Sequence, residues 1–229
     1  MSTHLRQDSG GPATRTLLID ADDTLWENNI YFERVAGEFF ARLAAAGVPE
    51  HRAQTVLWQT EQRNIHTTGY GSAAFCASLH ETARELGVPD LEPWIKEREQ
   101  WIFSHPIELM PGVADVLPKL RQRNRLIVVT KGQPAEQLGK LRRSGLEEFF
   151  HATDVVFEKN VQTYAKYAAP HTWMIGNSPR SDINPAKAAG LGTVFIAYHT
   201  TWQDELEEIA PDGGTIVLEH FGQLLEHFG

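Results

Sequence analysis

Six short apolar runs rich in β-branched residues limit the fold most strongly: Thr16–Ile19, Leu126–Thr130, Val155–Phe157, Thr172–Ile175, Thr193–Ala197 and Thr215–Leu218. Each is uninterrupted rather than alternating, and helical stretches mostly separate them. A strand exposed on one face would alternate apolar with polar residues. Continuous apolar runs suit strands covered on both faces, and so an α/β fold with a doubly wound parallel sheet. Pro134 and Gly145 bracket one expected helix, running to about Ser144, and Pro185 and Gly190 bracket a shorter one.

Between the first two runs the pattern changes. From about residue 31 to 106 no strand is evident, and helical patterns cover roughly 31–46, 50–65, 72–87 and 91–103. Gly47-Val48-Pro49 and Gly87-Val88-Pro89 punctuate them. The expected organisation is a core made of residues 15–30 and 107–229, with an α-helical subdomain over 31–106. Chain crossings are expected near Glu27–Ile30 and Ile107–Gly112. Residues 1–14 lack an apolar segment, and their Ser, Gly, Asp and Pro content reads as a disordered tail rather than a signal peptide or anchor.

The first run ends at Asp20-Ala21-Asp22-Asp23-Thr24. At a strand exit two carboxylates spaced by one residue can turn into the same pocket. At about 4 Å separation they repel by roughly 4 kcal/mol at an effective dielectric near 20. Such a pair is kept by a cation, or by dividing its labour between an ionised and a protonated member. Three further polar elements follow later runs: Thr130-Lys131-Gly132, Lys159, and Gly176-Asn177-Ser178-Pro179-Arg180-Ser181-Asp182. All four lie at expected carboxyl ends of strands, where open parallel sheets bind ligands.

In this order the four elements resemble the haloacid dehalogenase (HAD) superfamily, whose members are mostly Mg²⁺-dependent phosphohydrolases. The resemblance runs from about residue 15 to 220 and implies a Rossmann-like core with a helical cap. It implies that Asp20 attacks phosphorus to form an aspartyl-phosphate, and that Asp22 acts as acid and then base, which calls for a raised pKa. Thr130, Lys131 and Lys159 would bind phosphate, with Lys159 preferred over Lys131 and Lys166 because it directly follows its strand. Mg²⁺ would be held by Asp20, Asp22, Asn177 and Asp182. Asn177 stands where an aspartate is usual, so one negative charge is missing. Asp23 stands where many relatives have glycine and is read as a turn cap. Tyr31, Arg63, His66 and Tyr70 are candidate substrate contacts from the cap.

The implied activity is phosphomonoester hydrolysis of a small phosphorylated metabolite. A 2-haloacid dehalogenase, a phosphomutase and a catalytically idle phospholigand-binding protein remain open alternatives. The net charge of -9 argues against nucleic acid or an anionic membrane as partner. One cysteine, Cys76 in an apolar run, suits a packed thiol and a cytoplasmic setting. Monomer and homodimer are both compatible with the sequence.

Overall fold

Leu17, Leu18 and Ile19 are all fully buried, yet they enter two different cores. Leu17 and Ile19 pack with Leu126, Val128 and Ile175 on one side of the sheet. Leu18 packs with Ile127, Val129 and Met174 on the other. Successive side chains of a strand point to opposite faces, so a strand covered on both sides must be apolar throughout. That is the physical content of the uninterrupted runs.

The computed structural model describes residues 15–211 and 214–229, so the tail expected over 1–14 lies outside the described residues. The elements in chain order are β1 (Arg15–Ile19), α1 (Asn29–Ala45), α2 (Glu50–Thr68), α3 (Ser72–Glu85), α4 (Glu92–Ser104), α5 (Val113–Arg121), β2 (Asn124–Lys131), α6 (Pro134–Arg143), β3 (Ala152–Val156), α7 (Val161–Ala165), β4 (Thr172–Gly176), α8 (Asn184–Ala188), β5 (Gly192–Ile196), β6 (Thr215–Leu218) and α9 (Leu224–Phe228). All strand pairs are parallel, in the order β3-β2-β1-β4-β5-β6. The chain builds outward from β1 through β2 and β3, then returns to lay β4 on the other side of β1. That reversal leaves a crevice above the carboxyl ends of β1 and β4.

The third expected strand lies earlier than its apolar letters suggest: β3 spans Ala152–Val156, and Phe157 is left 67% exposed. Its pairing with β2, from Ile127↔Ala152 to Lys131↔Val156, sets the register against the sequence pattern. Helix α5 has no counterpart among the sequence expectations. Pro118 lies inside it, while Val113, Val116, Leu117 and Leu120 give it a buried stripe.

Helices α1 to α4 hold a core of their own, including Phe39, Leu43, Leu57, Leu79 and Ile95. Cys76 belongs to this core, and burial pushes its thiol up to about 12, as a packed thiol requires. The chain enters and leaves the helical unit side by side. Glu27 N–H donates to Glu108 O at 2.9 Å, and Met110 N–H donates to Leu25 O at 3.0 Å. Among the described residues, no helix is long and apolar enough to cross a membrane.

Candidate active site

The turn after β1 sets the first side chains. Asp20 N–H still donates to Ile175 O of β4 at 2.9 Å, so the ladder reaches one residue beyond the strand. The chain then curls back. Asp23 adopts φ 61°, a left-handed conformation that aspartate tolerates better than most residues. Its carboxylate accepts from the backbone N–H groups of Asn28 (2.9 Å) and Asn29 (3.0 Å), which is the capping role expected of it. Burial still pushes it up to about 7.

At the base of the crevice, Lys159 inserts its ammonium between two carboxylates. It donates to Asp182 Oδ1 at 2.7 Å and, still closer, to Asp20 Oδ1. Asp182 is fully buried, and its second oxygen accepts the Ser178 N–H at 3.0 Å. A π-type turn over Pro179–Ile183 brings Asp182 back under the end of β4. Burial, reinforced by Asp182, pushes Asp20 up to about 7 against the pull of Lys159. Burial opposes the charge on Lys159, but Asp182 and Asp20 outweigh it and hold the ammonium above the ordinary lysine range.

Asn177 joins the same cluster. The buried Thr24 hydroxyl lies 3.4 Å from Asp20 Oδ2 and 3.2 Å from Asn177 Oδ1, so these two hard oxygens converge. The Asn177 amide donates to Thr201 Oγ1 at 3.1 Å, which fixes the carbonyl inward. Among the described residues no group of three or more His, Cys, Asp or Glu side chains is arranged to hold a metal ion. A carboxylate and a neutral carbonyl, completed by water, nevertheless fit Mg²⁺, which keeps several waters and takes few protein oxygens. Asp182, expected to take part as well, is engaged by Lys159 and Ser178.

Asp22 differs from expectation. Its Oδ1 accepts from Lys140 Nζ at 2.9 Å and Trp26 Nε1 at 2.8 Å, and its Oδ2 from Gln137 Nε2 at 2.8 Å. Burial would raise its pKa, but Lys140, then Gln137 and Trp26, hold it below the usual carboxylate range. The expected raised value is therefore corrected: the sequence reading counted the acidic neighbours but not a lysine from α6. Gln137 and Lys140 lie three residues apart on one face of that helix, the only sequence sign of their joint role.

Thr130 is buried at the end of β2 and faces the cavity. Lys131 also lines it, but its ammonium pairs with Glu205, donates to Ser181 Oγ at 2.9 Å and lies 4.1 Å from the Tyr70 ring centre. Lys166 pairs with Asp154, so Lys159 alone of the three candidate lysines reaches Asp20. Tyr70 donates to Glu158 Oε2 at 2.9 Å and enters the cavity. Gly71 beside it adopts φ +121°, and a Cβ there would meet Glu136 Oε2 at 2.7 Å. That glycine lets Ser72 donate to Glu136 of α6, tying the helical unit to the core.

Three substrate candidates fall outside the cavity. The Tyr31 ring packs on His105 and Trp101, with centres 4.1 and 5.9 Å away. Arg63 lies near Glu81 and Glu85 between α2 and α3. His66 is exposed. Sequence reasoning missed Glu61, named Ser181 without a role and assigned none to Thr201, Trp202 and Glu205; all five border the cavity. The last three come from an irregular segment that has no periodicity to read.

The cavity measures about 190 Å³. Six carboxyl groups border it (Asp20, Asp22, Asp23, Glu61, Asp182 and Glu205), against three ammonium groups from Lys131, Lys140 and Lys159. When all six are ionised, an anion entering here meets an excess of negative charge that a cation entering with it would offset.

Residues 14–190 match the haloacid dehalogenase-like hydrolase family. The glyceraldehyde 3-phosphate phosphatase of Pyrococcus abyssi is 30% identical over 203 residues, covering 80% of this chain and 82% of that protein. The HAD-hydrolase YfnB of Bacillus subtilis is 28% identical over 200 residues, covering 80% and 83%. The crystal structure of a haloacid dehalogenase-like hydrolase from Xanthomonas campestris superposes with a TM-score of 0.75 at 32% identity, covering 90% of each chain. With its crevice at the reversal of a six-stranded parallel sheet, the chain belongs to the haloacid dehalogenase-like hydrolases and is a hydrolytic enzyme.

Proposed function

We propose that the chain is a Mg²⁺-dependent phosphatase acting on a small phosphomonoester, with α1 to α4 as a cap over the crevice. The observation that carries this reading is Lys159 held between Asp20 and Asp182, with Asn177 Oδ1 converging on the same site. A phosphatase among the relatives supports the same class.

Asp20 forms a bond to phosphorus while the bond from phosphorus to the ester oxygen breaks, leaving an aspartyl-phosphate. The departing alkoxide takes a proton from solvent, and a water then attacks phosphorus, passing its proton to Asp22 as the bond from phosphorus to Asp20 breaks, which frees Asp20 and phosphate. Asp22, held ionised by Lys140, Gln137 and Trp26, suits the removal of the proton from that water. Its acid role requires release from Lys140. Lys159 steadies Asp20 and offers its charge to the phosphoryl oxygens, and Thr130 adds a hydroxyl. Bound beside Asp20 and Asn177, Mg²⁺ would supply the positive charge that this acidic cavity lacks. The contacts Ser72–Glu136, Tyr70–Glu158 and Gln133–Thr68 would hold the cap closed and exclude water.

The test is phosphate release from an aryl phosphate and a panel of phosphorylated metabolites. Release should need Mg²⁺, stop with EDTA, and fall at least about 10³-fold in Asp20→Asn. No release across the panel with excess Mg²⁺ overturns the proposal, and halide release without metal would replace it with dehalogenation.

A further inference from the structure

Glu61 stands apart from the other acids of the cavity. Asp20, Asp22, Asp182 and Glu205 each pair with a lysine. Among the described residues Glu61 has no hydrogen-bond or ion-pair partner. It is partly exposed on α2, one turn before Ile65, and both line the cavity, whose wall also includes Phe32, Ala74 and Phe75. The lysines of the cavity are already engaged by other carboxylates.

A carboxylate held largely out of water is unfavourable unless something completes it. Burial alone pushes Glu61 up to about 7, with no protein cation opposing it. Arg63, two residues on, faces Glu81 and Glu85 instead. The phosphate end of a substrate is accounted for by Asp20, Lys159 and Thr130, so whatever meets Glu61 belongs to the other end of the molecule.

We propose that Glu61 receives a protonated amine carried by the leaving group of the substrate, whose apolar body packs against Phe32, Ile65 and Phe75. The inference rests on the phosphatase reading for the phosphate end. It narrows the substrate to an amine-bearing phosphomonoester with an apolar spacer. It disfavours esters carrying a carboxylate or second phosphate at that end, since these would face Glu61 with like charge.

Two probes differ only at the amine: 4-(aminomethyl)phenyl phosphate and 4-methylphenyl phosphate. Binding is measured by calorimetry on Asp20→Asn, so turnover is not required. The amine ester should bind at least about tenfold tighter, and Glu61→Gln in the same background should reduce the ratio to within about twofold. In the wild-type enzyme the ratio of kcat/KM for the two esters should favour the amine to a similar extent. Equal affinity for the two esters, or a preference that survives Glu61→Gln, overturns the inference. If the amine ester is preferred in binding but wild type with Mg²⁺ hydrolyses neither, the phosphatase reading fails and the assignment of Glu61 stands.

Discussion

Replacing Lys159 with methionine keeps the length of the side chain and removes its charge. The Lys159 and Asp182 side chains are 3% and 0% exposed, so bulk water cannot replace the ammonium at Asp182, while Asp20 keeps only its contact with the cavity. Breaking a buried ion pair from one side costs about 3–5 kcal/mol, because the remaining charge is left uncompensated. For a chain of this size 1 kcal/mol shifts Tm by about 2–4 °C, so Tm at pH 8 should fall by about 6–20 °C. The sign with pH follows from the two carboxylates. Lys159 is held above its ordinary range, so its own contribution is complete at every pH below about 10. In the variant a proton must take the place of the ammonium, and folding then draws protons from solution. Wild-type Asp20 itself takes up a proton below about 7, so the deficit should shrink by up to about 1.4 kcal/mol per unit as pH falls from 8 towards 7 and level off below that. Adding Asp182→Asn should recover more than half of the loss, since it removes one of the two stranded charges. Thermal and urea unfolding at several pH values measure all three. A Tm change below about 3 °C at pH 8, or a deficit independent of pH, refutes the buried carboxylate–ammonium–carboxylate arrangement.

Two other substitutions probe the walls of the same site. Lys140→Met removes the main influence holding Asp22 ionised, and the variant should be less stable by about 1–3 kcal/mol at pH 7. Asp22 is depressed in the folded state, so its contribution is present above the ordinary carboxylate range and lost below it. The deficit should therefore narrow as pH falls from about 4 to about 2 in urea unfolding, and a constant deficit counts against the Lys140–Asp22 pair. Gly176→Ala would place a methyl group 2.8 Å from Asp182 Cβ and closer still to its carboxylate. Stability should fall by about 1–3 kcal/mol with loss of phosphate release, and an unchanged Tm with full activity would contradict the packing of Asp182 against β4.

The sheet was legible in the sequence because burial on both faces leaves an unmistakable mark, a run such as Leu17-Leu18-Ile19 with no polar interruption. The helical unit was legible to within a few residues at most of its ends, since glycine-proline punctuation at 47–49 and 87–89 matches where α1 and α3 stop. Helix α5 was not, because Pro118 reads locally as a breaker although its ring is accommodated in the middle of a short helix. The convergence of Asp20, Lys159 and Asn177 was expected from strand-end placement together with the family resemblance. The charge state of Asp22 did not, because it is set by Lys140, 118 residues away in the chain. Glu205, Thr201 and Trp202 lie on a stretch whose path is set by tertiary contacts, and Glu61 stands out only once its lack of a counterion can be seen.

The paired crossing at Leu25–Glu27 and Glu108–Met110 has a bearing on how such a chain can diversify. Departure and return points that are hydrogen-bonded neighbours make the intervening helices a detour, topologically equivalent to a short hairpin. Sequence drift, repacking or wholesale exchange within that detour leaves the pairing of β1 with its neighbours intact. Change can therefore accumulate in one part of the molecule while Asp20 at the end of β1 stays on an unaltered scaffold.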